Sequence, residues 1–297
     1  MHQDQIEPTD DVVRALVADQ FPAWADEPIR HLRSSGTVNT IFRIGERHAA
    51  RFPLLGTNAD DAGRVLQSEV RAGARFAGVS PFPSPVPVGV GRPGCGYPLP
   101  WSVQTWLTGT DASKDDSSHS DEFARDLATL IAALRGVETR GHTPVGDHRG
   151  GNLRNHDKWV ERCLARSTHL LDVPRLTLLW QHFRALPRRD ADRMTHGDLI
   201  PANVLVAGGR LAGVLDCGGF AATDPALDVI AGWHMLDDRP RTVFRAELGS
   251  DDLEWERNKA WAFEQALGAV WYYVDTNPTM SRMGRRTLDR IVAATPI

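Results

Sequence analysis

The sequence is poor in cysteine, carries no excess of basic charge and lacks any long apolar run, and each shortage closes off a class of protein. Cys95, Cys163 and Cys217 are odd in number, widely spaced and form no C-x-x-C pair, so neither a disulfide framework nor a zinc site is expected. Reduced thiols in a cytoplasm fit that usage. The formal net charge of −4 gives no electrostatic reason for nucleic acid or an anionic membrane as the main partner. No apolar stretch approaches the roughly 18 residues that cross a bilayer, and the opening "MHQDQIEPTDD" is acidic, with no apolar core of a signal. A soluble, intracellular protein is the expectation. Two signatures are also missing: there is no G-x-x-x-x-G-K-[ST] and no G-x-S-x-G, which disfavours a P-loop ATPase and an α/β serine hydrolase.

What is present is ample core material, 41% hydrophobic residues in 297, arranged in two halves of different type. Thr9 caps an expected helix in "TDDVVRALVADQ", with Val12, Val13, Leu16 and Val17 on one face. "TIFRIG" and "HAARFP" read as a hairpin through residues 45 to 47. A helix over residues 59 to 77 follows, with Val65, Leu66, Val70 and Phe76 as its buried stripe. The proline- and glycine-dense "SPFPSPVPVGVGRPGCG" breaks the helical pattern, and a hinge is expected there, ahead of a strand in "PLPWSVQTWLTG". Beyond a polar loop, "GTDASKDDSSHS", the chain is mostly helical apart from two short strands near 203 to 215. The fold class is therefore α+β, a small strand-rich part followed by a larger helical one, and clefts between unlike lobes are favoured ligand sites.

The strongest chemical signal is "THGDLIPANVLVAGGRLAGVLDCGG", Thr195 to Gly219. His196, Asp198 and Asn203 reproduce the H-x-D-x-x-x-x-N spacing of a kinase catalytic loop, where the aspartate accepts the proton of a substrate hydroxyl and the asparagine binds Mg²⁺. Phosphoryl transfer requires these types: a carboxylate beside the attacking oxygen, and hard oxygen ligands for the metal that neutralises the triphosphate. "VLVAGGRLAGVLD" reads as strand, glycine turn, strand, a hairpin returning Asp216 beside Asn203. His196 reads as a buried histidine bonded to backbone. Taken singly, Asp198, Asn203 and Asp216 also read as cap and turn residues; their order and spacing together favour the phosphoryl-transfer reading.

These blocks, with "HGDLIPANVLV", "LAGVLDCGGFAATDPALDV", "SSGTVNTIFRIG" and "AARFP", resemble the aminoglycoside phosphotransferases and related small-molecule antibiotic kinases, over most of the chain. The resemblance implies a bilobal protein-kinase-like fold, with residues 1–103 as a nucleotide-binding N-lobe and 104–297 as a C-lobe holding the catalytic loop and the acceptor site. It implies Asp198 as catalytic base, Asn203 and Asp216 as Mg²⁺ ligands, and Asp228 as a helix-start carboxylate steadying the catalytic loop. Arg51 stands where protein kinases have lysine, and Glu69 is its expected ion-pair partner. Ser35, Gly36 and Thr37 are expected over the triphosphate, although the loop has only one glycine where protein kinases have three. Gln104, Thr105, Trp106 and Leu107 are expected to meet adenine. ATP or GTP would be the co-substrate, and antibiotic resistance the setting of such an activity. Cys217 replaces the phenylalanine that kinases commonly place after the metal aspartate, and is expected to be a small buried hydrophobe.

Only seven residues separate Asp216 from Asp224, leaving no room for the activation segment of a protein kinase. The acceptor is therefore expected to be a small molecule with a hydroxyl, and an aminoglycoside leads. Asp237, Asp238, Asp251, Asp252, Glu254 and Glu256 could line a pocket for a polycation, or be solvated helix starts and faces. Trp233, Trp255, Trp261 and Trp271, with Tyr272 and Tyr273, could line a pocket or be core. A macrolide or metabolite kinase of the same fold is the nearest rival, and a pseudokinase that binds nucleotide without turnover a more distant one.

Overall fold

The computed structural model describes residues 6–32, 38–56, 58–141 and 149–295, so the expected phosphate-loop residues Ser35, Gly36 and Thr37 lie outside the described residues. The chain divides into two compact units, one comprising residues 1–78, 83–108 and 216–218, the other 79–82, 109–215 and 219–297.

The first unit is built on an antiparallel five-stranded sheet. Its strands are β1 (Ile29–Leu32), β2 (Asn39–Ile44), β3 (His48–Pro53), β4 (Pro87–Gly91) and β5 (Trp101–Thr105), in the order β1-β2-β3-β5-β4. Helix α1 (Asp10–Gln20) starts at Thr9, whose side chain accepts the Val12 N–H, and buries Val13, Leu16 and Val17 against Phe42, Phe52, Trp101 and Val103 of the sheet. Phe52 and Trp101 stack at 4.8 Å between centroids, and Phe42 meets Phe52 edge-on at 5.7 Å. Helix α2 (Ala59–Val79) carries Glu69. Its buried residues are Leu66, Gly73 and Phe76, which correct the expected stripe: Val65 is half exposed and Val70 only partly buried.

The proline- and glycine-dense segment expected to be a hinge instead contributes β4, an edge strand, where proline is tolerated. Glycine is there for space: a Cβ on Gly91 would stand 2.1 Å from the Trp101 ring. The boundary expected between residues 103 and 104 falls within β5, and the first unit continues to Thr108.

The second unit is helical around two small sheets. Its helices are α3 (Asp121–Arg135), α4 (Asp157–Arg166), α5 (Val173–Phe183), α6 (Ala231–Met235), α7 (Asp238–Leu248), α8 (Asp252–Tyr272) and α9 (Pro278–Ala293). Strands β6 (Thr110–Asp111), β8 (Val204–Ala207) and β9 (Arg210–Val214) form one sheet, and β7 (Arg193–Thr195) pairs antiparallel with β10 (Ala221–Thr223) in the other. Helix α8 is buried on most sides and packs against α9 and the 3₁₀ turn Pro225–Ile230. It carries buried polar groups into the core, and its buried arginine is paired. Arg257 pairs with Asp224, whose other donors are Trp261 Nε1 at 3.2 Å and Ala226 N at 3.1 Å. Pairing of this kind is what permits charges where almost no water reaches.

The short interval between Asp216 and Asp224 is filled by a 3₁₀ turn, Cys217–Gly219, and by β10. Its register, Ala221 with Thr195 and Thr223 with Arg193, runs it directly beside the strand that enters the His196–Asp198 loop.

Candidate active site

Strand β7 ends at Thr195, and the chain then turns through His196, Gly197 and Asp198 into the 3₁₀ turn Pro201–Asn203. Leu199 and Ile200 are buried, and Asp228 fixes the loop from below. Its Oδ2 accepts the His196 N–H and its Oδ1 the Gly197 N–H, both at 2.8 Å. Burial pushes the Asp228 carboxyl up, against the pull of His196 and of those two backbone donors. His196 is buried, with Nε2 2.8 Å from the Leu215 carbonyl and Nδ1 accepting the Asp198 N–H at 3.3 Å; as the Leu215 carbonyl can only accept, Nε2 carries the proton.

The Asp198 carboxylate meets three donors. Arg149 Nη2 and Gln265 Nε2 both reach Oδ1 at 2.7 Å, and Asn203 Nδ2 reaches Oδ2 at 3.1 Å. Asn203 Nδ2 also donates to the Asp198 carbonyl at 2.9 Å, so the hydrogen bonds of this amide are made through nitrogen and Oδ1 is its remaining donor atom for a cation. The register Val204 with Val214 and the Leu215 N–H to Asn203 carbonyl bond of 2.8 Å close the hairpin one residue before Asp216.

Neither Arg149 nor Gln265 belongs to the motif that sequence reasoning uses. Arg149 stands before two glycines in "RGGN", far upstream, and no spacing rule ties it to Asp198. Gln265 is one polar residue in a helix of core composition. Beneath them His234 is buried; its Nε2 lies 3.0 Å from Gln265 Oε1 and its Nδ1 2.9 Å from Thr287 Oγ1. Burial lowers the His234 pKa to about 4; Gln265 and Asp198 pull upward, Arg149 and Arg290 downward. The folded state therefore holds this ring neutral while the unfolded chain protonates it below about pH 6.5. Because the unfolded state binds more protons between about pH 6.5 and 4, stability falls as pH falls through that window, by up to ~1.4 kcal/mol per pH unit from this ring. Denaturant unfolding across that range should give a shallower acid loss for His234→Leu than for the wild type; equal slopes would contradict the assignment.

In the first unit, β3 carries Arg51 and α2 carries Glu69. Arg51 Nη2 donates to Asp216 Oδ1 at 2.7 Å, and Asp216, not Glu69, is the carboxylate within ion-pairing distance. That corrects the expected Arg51–Glu69 pair: Glu69 acts on Arg51 only through charge at longer range. Burial weakens the hold of Arg51 on its proton, and Asp216 and Glu69 more than restore it. Burial pushes the Glu69 carboxyl up; Arg51 opposes this and Asp216 adds to it. Asn39, Arg51, Glu69, Val103, Gln104 and Cys217 line a cavity in this unit.

Asp216 adopts φ +55°, a left-handed conformation that aspartate and asparagine tolerate better than other side chains. The sharp turn is thus at Asp216 itself. Gly218 serves a different end, since a Cβ there would meet the Glu69 Cβ at 3.0 Å. Cys217 is buried, and burial together with the charge of Asp216 pushes its thiol up, away from the reactive thiolate.

In the stretch expected to meet adenine, the Thr105 N–H donates to the Val86 carbonyl at 2.9 Å and the Trp106 N–H to the Arg47 carbonyl at 2.7 Å. Both are spent within the unit, and among the described residues Leu107 N–H is the backbone donor of Thr105–Leu107 left for a base. The six carboxylates considered for a polycation pocket are all engaged. Asp237 pairs with Arg290, Asp238 with Arg241, Asp251 with Arg189, Asp252 with Arg245, Glu254 with Arg135 and Glu256 with Lys259. Trp233, Trp255 and Trp261 are buried core, and of the aromatic group Tyr272 is the most exposed.

A strand-rich antiparallel unit followed by a helical unit, with a clamped H-G-D loop and an aspartate just after a hairpin, fits the kinase-like class of phosphotransferase folds. Residues 31–265 match the phosphotransferase enzyme family, and the chain belongs to that family. No curated protein matches it in sequence. Among solved structures it is similar to the GDP complex of wild-type aminoglycoside 2'-phosphotransferase-IIIa (20% identity, TM-score 0.73, covering 97% of this chain and 99% of that one). It is also similar to macrolide 2'-phosphotransferase MphH from Brachybacterium faecium (19%, TM-score 0.62, 93% and 98%) and to the streptomycin-ATP-APH(2")-IIa ternary complex (16%, TM-score 0.60, 96% and 97%). The shared fold is shown by these likenesses. Among the described residues, no helix is long and apolar enough to cross a membrane.

Proposed function

We propose that the protein transfers the γ-phosphoryl group of ATP or GTP to a hydroxyl of a small molecule. The observation that carries this is Asp198, a carboxylate 37% exposed, held by side-chain donors on a loop that Asp228 clamps through two backbone N–H groups. The acceptor O–H bond breaks with its proton passing to Asp198, and its electron pair forms the new O–P bond. The bond from phosphorus to the β-bridging oxygen breaks, and its pair leaves on the nucleoside diphosphate.

The donor set suits Mg²⁺, which takes oxygen ligands and usually only one or two protein side chains besides the phosphates. Asn203 Oδ1 and the Asp216 carboxylate would hold it, and Asp216 already carries one cation, the Arg51 guanidinium. When bound, the ion supplies charge neutralisation across the phosphates. Arg51 and Asp216 would then exchange each other for phosphate and metal respectively. The base would sit at Gln104, Thr105, Trp106 and Leu107, with Leu107 N–H as the free donor.

An aminoglycoside is the first acceptor proposed, supported by similarity to aminoglycoside phosphotransferases. A second reading, a macrolide or an ordinary metabolite, has an observation of its own: the acidic side chains that would recruit a polycation are each paired within the chain, and one of the side chains that contact Asp198 at 2.7 Å is a cation, Arg149. The test is nucleotide consumption against a panel of aminoglycosides, macrolides and hydroxylated metabolites, with ATP and with GTP. Response to an aminoglycoside supports the first reading, response to another class alone supports the second, and nucleotide binding with no response to any acceptor would favour a pseudokinase.

A further inference from the structure

The three donors on Asp198 are distributed unevenly. A carboxylate offers about four lone-pair positions, two per oxygen. Arg149 and Gln265 occupy both positions on Oδ1, each at 2.7 Å, while among the described residues Oδ2 holds the longer contact from Asn203 alone. One position on Oδ2 is left for a proton. We infer that Gln265, held in turn by His234, is a positioning residue of the phosphotransferase: it pins Oδ1 so that Oδ2 is the oxygen presented to the acceptor hydroxyl. This rests on the proposed role of Asp198.

The direction of each hydrogen bond follows from chemistry. A carboxylate oxygen only accepts, so Gln265 must turn its amide nitrogen to Asp198 and its oxygen Oε1 to His234. The side chain cannot flip without setting two acceptors face to face. Oε1 then requires a proton on His234 Nε2, and in a neutral ring Nδ1 is left as an acceptor. Thr287 Oγ1 stands 2.9 Å from Nδ1 and 3.0 Å from the Met283 carbonyl. That one proton is shared between Nδ1 and the Met283 carbonyl, so this contact holds the ring without a fixed sense. The chain of donation therefore runs from His234 on α6, through Gln265 on α8, to Asp198, with a fixed sense at both steps, and Thr287 on α9 backs the His234 ring. Thr287 and His234 are buried, so water does not replace a missing member readily. Three helices thus hold the orientation of one carboxylate, and a carboxylate rotated about its bond would present the wrong oxygen at the wrong distance.

A double-mutant cycle decides the point. Gln265→Met keeps the length of the side chain and removes both polar atoms; kcat should fall by about 10- to 100-fold, with the nucleotide KM within about twofold of wild type. His234→Leu alone should lower kcat by a smaller factor. The double variant should be no slower than Gln265→Met, because His234 acts on the reaction only through Gln265. Multiplying kcat losses, a nucleotide KM rising in parallel, or an unchanged kcat would each overturn the inference. Should His234→Leu fail to fold, Thr287→Val, which keeps the shape and removes the hydroxyl, takes its place in the cycle. The kinetic arm uses ATP or GTP with kanamycin and with erythromycin. If the wild type transfers phosphate to neither and to no member of the acceptor panel, the proposed function falls. The crystal structure of Gln265→Met then still decides the positioning claim: an Asp198 carboxylate rotated away from its wild-type orientation supports it, and an unmoved one overturns it.

Discussion

Asp198→Ala will lose phosphoryl transfer, by about 10²- to 10⁴-fold in kcat, while nucleotide affinity stays close to wild type. Deleting the carboxylate removes the only group on the catalytic loop proposed to take the acceptor proton. The nucleotide is assigned to residues of the first unit, Arg51 and Gln104 to Leu107, which the change does not touch. One complication follows from the structure: Arg149 loses the partner it contacts at 2.7 Å and keeps only the longer-range charge of Glu264. An unpaired buried charge is destabilising, so Asp198→Asn is the companion variant, since it keeps the shape and an acceptor oxygen for Arg149. Both variants should bind nucleotide in calorimetry and fail to turn it over. Wild-type turnover in either one would remove Asp198 from the mechanism.

The second large effect separates two neighbours. Asp216→Asn should cost about 10²-fold or more in kcat/KM, whereas Cys217→Ser should leave kcat within about threefold. Asparagine is the right replacement because residue 216 has φ +55°, which asparagine tolerates; the change removes charge and spares the turn. It takes the hydrogen-bonded counter-charge from Arg51 and would take the anionic ligand from the proposed metal at once. Cys217 contacts no phosphate or metal in the proposal, and its buried thiol is held protonated by its surroundings. A hydroxyl there costs some stability through burial of a polar group and little catalysis. The steady-state constants of the two variants, measured side by side, check this; a crippled Cys217→Ser with an active Asp216→Asn would reverse the roles.

The parts of this protein that follow local rules were legible in its sequence. The Thr9 cap, the β2–β3 hairpin, α3 and the β8–β9 hairpin each need only their own residues to be read. The parts decided by distant contacts were not. Strand β4 hides behind prolines and glycines because its glycines answer to the Phe21 and Trp101 rings, which belong to other elements. Strands β7 and β10 are three residues each and exist through each other. Helix α9 opens on Pro278, a residue that ends helices in their interior yet is favourable in a first helical turn. The same division holds in the site. Motif spacing singles out Asp198, Asn203 and Asp216, while Arg149 and Gln265, which contact Asp198, and His234 and Thr287 behind Gln265 come from four other segments and carry no spacing of their own. The exchange of Glu69 for Asp216 as partner of Arg51 has the same origin, since a two-carboxylate choice for one cation is settled by tertiary geometry. The acidic cluster of Asp237 to Glu256 misleads in the opposite direction: runs of charge are visible in sequence, but the arginines and lysine that neutralise them are mostly not their neighbours in the chain.

The central claim, that the terminal phosphoryl group moves to an acceptor hydroxyl, is tested most directly by following the label of γ-phosphorus-labelled ATP or GTP with Mg²⁺ and the acceptor panel. The account predicts label in a phosphate ester on one acceptor, nucleoside diphosphate formed in equal amount, and neither product with Asp198→Ala. Label released only as free phosphate, or nucleotide bound and recovered intact with every acceptor, would contradict it.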